Sequence, residues 1–329
     1  MQPLISRMPA YLMQRWTGQA WMLPVSYTVS PLFACNSRCK TCFVYENKVR
    51  ALKVEEYRRI VDSIHQKAFW LTVSGGEPFL RRDLQAVAEV LVDGLQPSVV
   101  NFPTNGSFPE RVVDISTHLA SLHPDKKFIV NLSLDDLEER HDEIRGFEGN
   151  WQRAMMTFAG LKAAQKEYSN LVVGIHTVIS RFNVARFPEI CDRLLELEPD
   201  SYITEIAEQR VELRTQDLDI TPEPHEYAAA MAHLEKRLRR RKPQAIAMLI
   251  AQMRAQYYRD VVQLLETGEQ VHQCFAGTTS CHILPDGKVV ACGVAGDSLG
   301  DLRKADYDFP SVWRSKEAAQ SRRRVKEER

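Results

Sequence analysis

The sequence predicts an α/β fold in which one parallel sheet is covered by helices. Six short apolar runs alternate with helical patterns between about residues 25 and 215, as in chains that build parallel sheets. Polar or glycine-rich motifs follow several of these runs, and ligands bind at the carboxyl ends of parallel strands. We therefore expect these motifs to converge at one edge of the sheet.

The elements follow one another in a simple order. The six strands are predicted in the segments VSYTVS, FWLTVSGGEP, SVVNFPTNG, FIVNLSLDD, LVVGIHTVIS and SYITEIAE, within a domain over residues 25–215. Before it, residues 1–24 predict an amphipathic helix whose apolar anchors are Leu12, Met13, Trp16 and Trp21. We expect this helix to dock on the main domain, with membrane contact as the alternative. Residues 216–270 predict a helical region, and residues 271–329 a compact module with a β-hairpin turning at Asp286-Gly287.

Composition excludes several classes of protein. Of the 329 residues 44% are hydrophobic and 26% charged, and the formal net charge is zero, so there is no overall attraction to nucleic acid. No apolar run approaches the roughly 20 residues that span a bilayer, and the N-terminus lacks the order of a signal peptide. We expect a cytoplasmic protein with reduced cysteines, which favours metal ligation or catalysis over disulfides.

Three of the seven cysteines, Cys35, Cys39 and Cys42, lie within eight residues of a polar loop after the first strand. They could be buried side chains, zinc ligands or iron–sulfur ligands. The polar loop argues against simple burial, and a closed zinc site needs four ligands. A four-iron cluster held by three thiolates leaves one iron open to a substrate or cofactor, so the missing fourth cysteine is informative.

The spacing Cys35-x3-Cys39-x2-Cys42 resembles the signature of radical S-adenosylmethionine (SAM) enzymes. The resemblance implies a partial (β/α)6 barrel and a [4Fe–4S] cluster held by the three cysteines, with SAM chelating the open iron. It also implies that electron transfer cleaves SAM to a 5′-deoxyadenosyl radical, which takes a hydrogen atom from the substrate. A reductant such as flavodoxin or ferredoxin would be the electron-donating partner.

The segment SGGEP resembles the glycine-rich motif of the same family, which meets the methionine ammonium of SAM. The resemblance assigns this contact to Gly75, Gly76 and Glu77. The physical chemistry agrees, because glycines let backbone approach a ligand closely and a carboxylate suits an ammonium group.

Further SAM contacts are implied by resemblance at later strand ends. They are Asn105 in PTNG, Ser133 in LSLDD, Arg145 in HDEIRG, and His176 on the fifth strand. The family usually has an aromatic residue before the third cysteine, near the adenine; here that position is Thr41, and we expect Phe43 to supply the aromatic face. Glu205, Glu208 and Arg210 follow the sixth strand and either touch SAM or substrate or pair with one another.

A second group of cysteines, Cys274, Cys281 and Cys292, surrounds the predicted hairpin. The segment resembles the start of a SPASM or twitch module, which implies an auxiliary [4Fe–4S] cluster, although Cys281 departs from the common pattern. The later cysteines of a full SPASM domain are absent, so we expect a short twitch form or a sequence that stops before them. Cys191, on an apolar helix face, is predicted to lie in the core.

The leading functional prediction is a radical SAM enzyme that acts on an unactivated C–H bond, through oxidative modification of a peptide, a protein or a small metabolite. A cyclase of molybdenum-cofactor type is the alternative enzyme, since it also carries three C-terminal cysteines. A non-catalytic protein stabilised by zinc is the alternative from another class.

Overall fold

The computed structural model describes residues 2–239 and 245–327, and its central feature is a sheet that begins with six parallel strands. These are β1 (Ser26–Val29), β2 (Trp70–Val73), β3 (Val99–Thr104), β4 (Lys127–Ser133), β5 (Leu171–Ile179) and β6 (Ser201–Ile206). The helices between them are α2 (Val54–Asp62), α3 (Leu84–Leu95), α4 (Pro109–Leu122), α5 (Glu138–Arg145), α6 (Asn150–Ala164) and α7 (Phe187–Glu196). The predicted parallel α/β sheet is confirmed.

The two faces of this sheet differ in chemistry. Side chains alternate along each strand, so that Tyr27 and Val29 of β1 are fully buried in the hydrophobic core. On the opposite face, Thr28, Thr72 and Asn101 lie in register on β1, β2 and β3. The sheet therefore presents an apolar face to the core and a polar face on its other side.

The C-terminal strands continue the same sheet. These are β7 (Ser280–Ile283), β8 (Lys288–Val290) and β9 (Ser298–Asp301); β7 pairs in parallel with β1, and β8 pairs antiparallel with β7 and β9. The predicted hairpin is confirmed, and Gly287 takes the positive φ of +89° that its turn requires. Its attachment to β1 is a finding that local sequence patterns do not reveal, because the paired residues are about 250 positions apart.

The remaining helices lie before β1, between β6 and β7, and after β9. They are α1 (Gln2–Thr17), α8 (Pro224–Arg239), α9 (Ala245–Thr267), α10 (Phe309–Trp313) and α11 (Lys316–Glu327). The predicted N-terminal helix is present and docked, but the prediction of its anchors is wrong. Leu12, Met13, Trp16 and Trp21 are exposed, and the helix is held by other residues. Among the described residues, no helix is long and apolar enough to cross a membrane.

Glu56 of α2 joins the parallel-strand region to the C-terminal segment. Its carboxylate accepts hydrogen bonds from Arg303 (3.0 Å), the Tyr307 hydroxyl (2.6 Å) and the Lys53 backbone N–H (2.8 Å). Burial alone would raise the pKa of Glu56, but these hydrogen bonds outweigh it and lower that pKa to about 2. The ionised carboxylate therefore stabilises the attachment of the two segments.

Replacing Glu56 with glutamine is expected to lower the free energy of unfolding by about 3 kcal/mol at pH 7. Because the folded pKa is depressed, this contribution is complete above the ordinary value of 4.5 and is lost as pH falls towards about 2. Urea unfolding at pH 7 and pH 3 should show the difference between wild type and Glu56→Gln shrinking at the lower pH. Glu55→Gln, on the exposed side of the same helix, should change stability by less than about 0.5 kcal/mol.

Candidate active site

The cysteine loop (residues 35–42) follows β1 and lies across the C-terminal end of α5. The backbone N–H groups of Arg38 and Lys40 donate hydrogen bonds to the carbonyl oxygens of Arg145 (2.8 Å) and Ile144 (2.9 Å). The last carbonyls of a helix have no partner within it, so the loop and the helix end satisfy each other. This contact fixes the backbone that carries the three thiols.

The glycine turn (residues 75–77) follows β2 and packs against the chain that enters the cysteine loop. The N–H of Gly76 donates to the Leu32 carbonyl (2.9 Å), and the N–H of Glu77 donates to the Ala34 carbonyl (3.0 Å). A Cβ atom at Gly76 would lie 2.1 Å from the Ala34 oxygen, and one at Gly75 would lie 2.4 Å from the Leu32 oxygen. Only glycine fits at these two positions.

Glu77 is 1% exposed, and its carboxylate is engaged by the protein itself. It accepts hydrogen bonds from the Thr104 hydroxyl (2.8 Å) and from the backbone N–H groups of Asn105 (2.8 Å) and Phe79 (3.0 Å). Burial raises the pKa of Glu77 to about 7 despite these hydrogen bonds. Glu77 thus ties the glycine turn to the end of β3, and its contact with the SAM ammonium stays a prediction.

Asn105 connects the end of β3 to the cysteine loop. Its side-chain amide donates to Asn36 Oδ1 (2.9 Å) and Ser37 Oγ (2.8 Å), while its carbonyl accepts from the side chain of Asn150 (2.9 Å). Asn105 thus holds the loop between Cys35 and Cys39 in place, and its contact with SAM stays a prediction.

Arg145, the last residue of α5, brings a positive charge to the thiols. Its Nε lies 2.8 Å from Asp135 Oδ2, and its Nη1 lies 3.8 Å from Cys39 Sγ. The side chains of both Arg145 and Asp135 are largely shielded from solvent. Asp135 was not singled out from the sequence, although its position after β4 in LSLDD is a signal of the right kind.

The donor set of the cysteine loop fits an iron–sulfur cluster. Burial raises the pKa of Cys35 to about 11 and that of Cys42 to about 12, so these thiols keep their protons unless cations compensate the thiolate charge. One tetrahedral zinc ion would draw its sulfurs to about 3.8 Å from each other. Among the described residues, 2–239 and 245–327, only one group of three potential metal ligands has its ligand atoms within 4.8 Å of one another. That group is Cys191, Asp192 and His233, so the three thiols of the cysteine loop are not gathered as one zinc ion would require.

That group has a structural explanation. Asp192 Oδ1 lies 2.8 Å from both His233 Nε2 and Arg237 Nε, so the charge of its carboxylate is already compensated. Cys191 is fully buried in the hydrophobic core, as predicted.

The polar face of the sheet carries the remaining predicted residues. Ser133 and His176 pair in register on β4 and β5, and His176 Nε2 lies 3.7 Å from Glu205 Oε2. Burial lowers the pKa of His176, so the neutral imidazole is favoured. Arg210 pairs with Glu208, and its Nη2 lies 3.7 Å from Glu205 Oε2, so these residues pair with one another, while their contact with SAM or substrate stays a prediction.

Phe43 is placed next to the cysteine loop by its backbone. Its N–H donates to the Leu213 carbonyl (2.9 Å), and its ring centroid lies 6.1 Å from that of Tyr45. Thr41, which stands where the family has an aromatic residue, is buried. The contact between Phe43 and the adenine of SAM stays a prediction.

The three C-terminal cysteines have different surroundings. Cys274 Sγ accepts from the Ala276 N–H (3.4 Å) and Cys292 Sγ from the Ala295 N–H (3.5 Å), and backbone hydrogen bonds to sulfur are common at iron–sulfur clusters. Cys281 lies on β7, 3% exposed, among the core residues opposite Tyr27. Burial raises the pKa of the Cys281 thiol. We therefore assign Cys281 to packing and remove it from the predicted ligand set, while metal ligation by Cys274 and Cys292 stays a prediction.

A short segment, residues 211–213, touches both cysteine sites. The Leu213 carbonyl accepts from Phe43, next to Cys42, while the N–H of Glu212 donates to the Gly293 carbonyl (3.2 Å), next to Cys292. No motif marks this segment, and sequence reasoning missed it because its role depends on contacts with two distant parts of the chain.

Replacing Gly76 with alanine is expected to weaken SAM binding at least about tenfold, because the new methyl group would collide with the Ala34 carbonyl and displace the cysteine loop. Equilibrium dialysis of SAM against the reconstituted protein measures this change. Gly268→Ala is the control, since nothing lies within 4 Å of the atom added there, although the φ of Gly268 (+72°) strains an alanine and Gly76 has no positive φ. Equal SAM affinity in wild type and Gly76→Ala would show that the glycine turn is not part of the site.

Comparison with known families agrees with this geometry. The family model for the radical SAM superfamily matches residues 29–194, which include the cysteine loop, the glycine turn and Arg145. The model for the SPASM iron–sulfur cluster-binding domain matches residues 274–329, which include Cys274 and Cys292. The predicted family resemblance and fold class are confirmed.

Three curated relatives show how far the similarity extends. Fe-coproporphyrin III synthase of Methanosarcina barkeri is 28% identical over 166 residues, 49% of this chain and 39% of that protein. Sporulation killing factor maturation protein SkfB of Bacillus subtilis is 24% identical over 175 residues, 52% and 40% of the two chains. The match thus spans about two fifths of the length of these two relatives. A probable GTP 3′,8-cyclase of Methanothermobacter marburgensis is 24% identical over 299 residues, 85% of this chain and 88% of that protein.

Among solved structures, SuiB of Streptococcus suis bound to precursor peptide SuiA shares the fold. The two structures superpose with a TM-score of 0.65 and are 15% identical in sequence. The superposition covers 96% of this chain and 70% of the SuiB chain. SuiB has also been solved with bound S-adenosylmethionine, at a TM-score of 0.65 and 14% identity over 94% of this chain and 70% of that chain.

Proposed function

Since the chain belongs to the radical SAM superfamily and carries a C-terminal SPASM iron–sulfur domain, we propose that it modifies a peptide substrate oxidatively by removing a hydrogen atom from an unactivated C–H bond. Its cofactors are a [4Fe–4S] cluster and SAM, with further iron–sulfur binding in the C-terminal domain. The observation that supports the proposal best is the packing of the glycine turn on the cysteine loop, with no room for a side chain between them.

When bound, the cluster would supply the electron for reductive cleavage of SAM. The residues of this chain prepare the site for that chemistry. The thiols of the cysteine loop would hold the irons, and Gly75 and Gly76, which pack without side chains against the chain entering that loop, place the glycine turn where the resemblance assigns the amino-acid part of SAM. Arg145 places its charge beside Cys39, where it favours the thiolate and suits the SAM carboxylate. The polar face with Ser133 and His176 is left for the rest of SAM and for the substrate.

The SPASM-type relationship supports the choice of a peptide. SuiB is described as bound to its precursor peptide, and SkfB as a maturation protein for a sporulation killing factor. Residues 211–213 hydrogen-bond both to Phe43 beside the cysteine loop and to Gly293 beside Cys292, so they link a second cluster at Cys292 to the site of SAM cleavage. We propose further that flavodoxin or ferredoxin donates the electron and that the enzyme works in the cytoplasm.

A GTP-type cyclase is the second candidate, favoured by one observation. The probable GTP 3′,8-cyclase matches over most of both chains, whereas the other two relatives match over about half of this one. The two candidates differ in the molecule that loses the hydrogen atom, which an isotope label can identify.

The experiment supplies the reconstituted, dithionite-reduced enzyme with SAM and either a peptide digest of perdeuterated cell protein or deuterated GTP. Deuterium appearing in 5′-deoxyadenosine from the peptides alone supports the proposal. Deuterium from GTP alone identifies a cyclase. Unlabelled 5′-deoxyadenosine in both reactions contradicts the peptide assignment while leaving SAM cleavage in place.

The corrected ligand set predicts a specific iron count. With one four-iron cluster in the cysteine loop and a second held by Cys274, Cys292 and further ligands that are not cysteines, the reconstituted wild type should contain about eight irons, and the Cys274→Ala/Cys292→Ala variant about four. Cys281→Ala should keep about eight, because its thiol packs in the core. Iron analysis after gel filtration measures the three proteins; a loss of iron in Cys281→Ala would restore Cys281 to the ligand set.

A further inference from the structure

The N-terminal helix α1 presents an apolar strip to solvent. Its outer face is formed by Met8, Leu12, Met13 and Trp16, which are 54%, 54%, 52% and 76% exposed. Positions 8, 12 and 16 follow one another at intervals of four residues, so these side chains lie one above the other along the helix. Trp21, 46% exposed, follows shortly after the helix. A contiguous exposed strip of this kind indicates an interaction surface.

The inner face of α1 is held mainly by polar groups. Tyr11 donates through its hydroxyl to the Leu23 carbonyl, and the amide of the fully buried Gln14 donates to the Thr278 carbonyl (3.2 Å). Arg15 is also buried, with its guanidinium over the Phe275 ring. A surface helix normally turns its apolar residues to the core, and α1 reverses that arrangement. Docking on the domain therefore does not account for the apolar side chains of the outer face.

Positive charge borders this outer face. The sequence has no Asp or Glu before Glu46. Arg7 lies on α1 itself and donates to a backbone carbonyl at residue 67, while Lys326 of α11 donates to the Trp16 carbonyl (3.0 Å). Arg314 donates to the Ala20 carbonyl (3.3 Å) beyond the helix end. The cations thus stand at both ends of the apolar strip.

We propose that the outer face of α1 docks on the surface of an anionic lipid membrane. Tryptophan, leucine and methionine side chains enter the boundary between headgroups and acyl chains, and neighbouring cations bind the lipid headgroup anions. The convex face of a single helix fits a lipid surface, which adapts to it. A second copy of this chain is a poorer occupant, because a two-fold contact would bring the two sets of cations together.

The test is flotation of the purified protein with vesicles of phosphatidylcholine alone or with 30% phosphatidylglycerol, on the order of the anionic content that attracts basic segments. Wild type should bind the anionic vesicles at least about tenfold more strongly than the neutral ones, and binding should weaken with salt. Leu12→Ser/Trp16→Ser should reduce binding to anionic vesicles at least about tenfold. Lys326→Gln should reduce it by a smaller factor.

Met156→Ser is the matched control, because Met156 is 63% exposed on α6, a different helix. It should bind vesicles like wild type, and all variants should keep the wild-type unfolding temperature since they change exposed side chains. Absence of vesicle binding by wild type overturns the proposal, as does unchanged binding by the double variant. A concentration-dependent dimer that the double variant abolishes, without vesicle binding, would identify a second copy as the occupant.

Discussion

Replacement of Cys39 by alanine is expected to reduce the formation of 5′-deoxyadenosine from SAM at least about a thousandfold. Cys39 is buried in the cysteine loop and lies beside Arg145, and a cluster with only two thiolate ligands from that loop would be incomplete. The measurement is chromatography of the nucleoside products after incubation of the reconstituted, dithionite-reduced protein with SAM.

Cys191→Ala provides a matched control, since it removes a buried thiol from the core on α7. We expect this variant to be less stable, because it leaves a small cavity, but to cleave SAM at the wild-type rate per folded protein. Wild-type production of 5′-deoxyadenosine by Cys39→Ala would remove Cys39 from the site.

The second large effect is predicted for Arg145→Met. Asp135 would be left buried without its cation, which costs about 3–5 kcal/mol of unfolding free energy. The same change removes the positive charge beside Cys39, so iron loading of the cysteine loop and SAM affinity should fall with it. Urea unfolding measures the first effect, and iron analysis with SAM dialysis measures the second.

Two further variants separate charge burial from cofactor binding. Arg145→Met/Asp135→Asn removes both charges and should regain much of the lost stability, but not the SAM affinity. Arg140→Met changes an exposed arginine of the same helix and should alter stability by less than about 0.5 kcal/mol. If the double variant binds SAM as wild type does, Arg145 has only a structural role.

Those parts of the fold that depend on local patterns were predictable from the sequence. The six parallel strands follow from apolar runs of strand length, and the cysteine loop and glycine turn follow from residue types at strand ends. The pairing of β7 with β1 was not predictable, because it joins segments about 250 residues apart whose local sequences do not depend on each other.

Two errors have a common physical origin. Cys281 was grouped with Cys274 and Cys292 by residue type and proximity, but its position on a strand turns its thiol to the core opposite Tyr27. The anchors of α1 were assigned by hydrophobicity, but Tyr11 and Gln14 find hydrogen-bond partners that only the folded chain supplies. In both cases a contact with a distant part of the chain decides which way a residue faces: strand pairing for Cys281, and hydrogen bonds for Tyr11 and Gln14.

The supporting bonds around the site were also beyond the reach of the sequence. Asn105 and Glu77 were singled out as ligands of SAM, yet the structure shows that they bind one loop of the site to another. Such bonds depend on the relative positions of β2, β3 and the cysteine loop, and no spacing in the sequence encodes those positions.

Electron paramagnetic resonance of the reduced protein shows whether the cysteine loop holds a redox cluster to which SAM binds. Spectra are recorded with and without SAM for wild type and for Cys35→Ala/Cys39→Ala/Cys42→Ala, which keeps the C-terminal cysteines. We expect SAM to shift a cluster signal in wild type and to leave any remaining signal of the triple variant unchanged. A wild-type spectrum that SAM does not alter, or a shift that persists in the triple variant, would contradict this expectation.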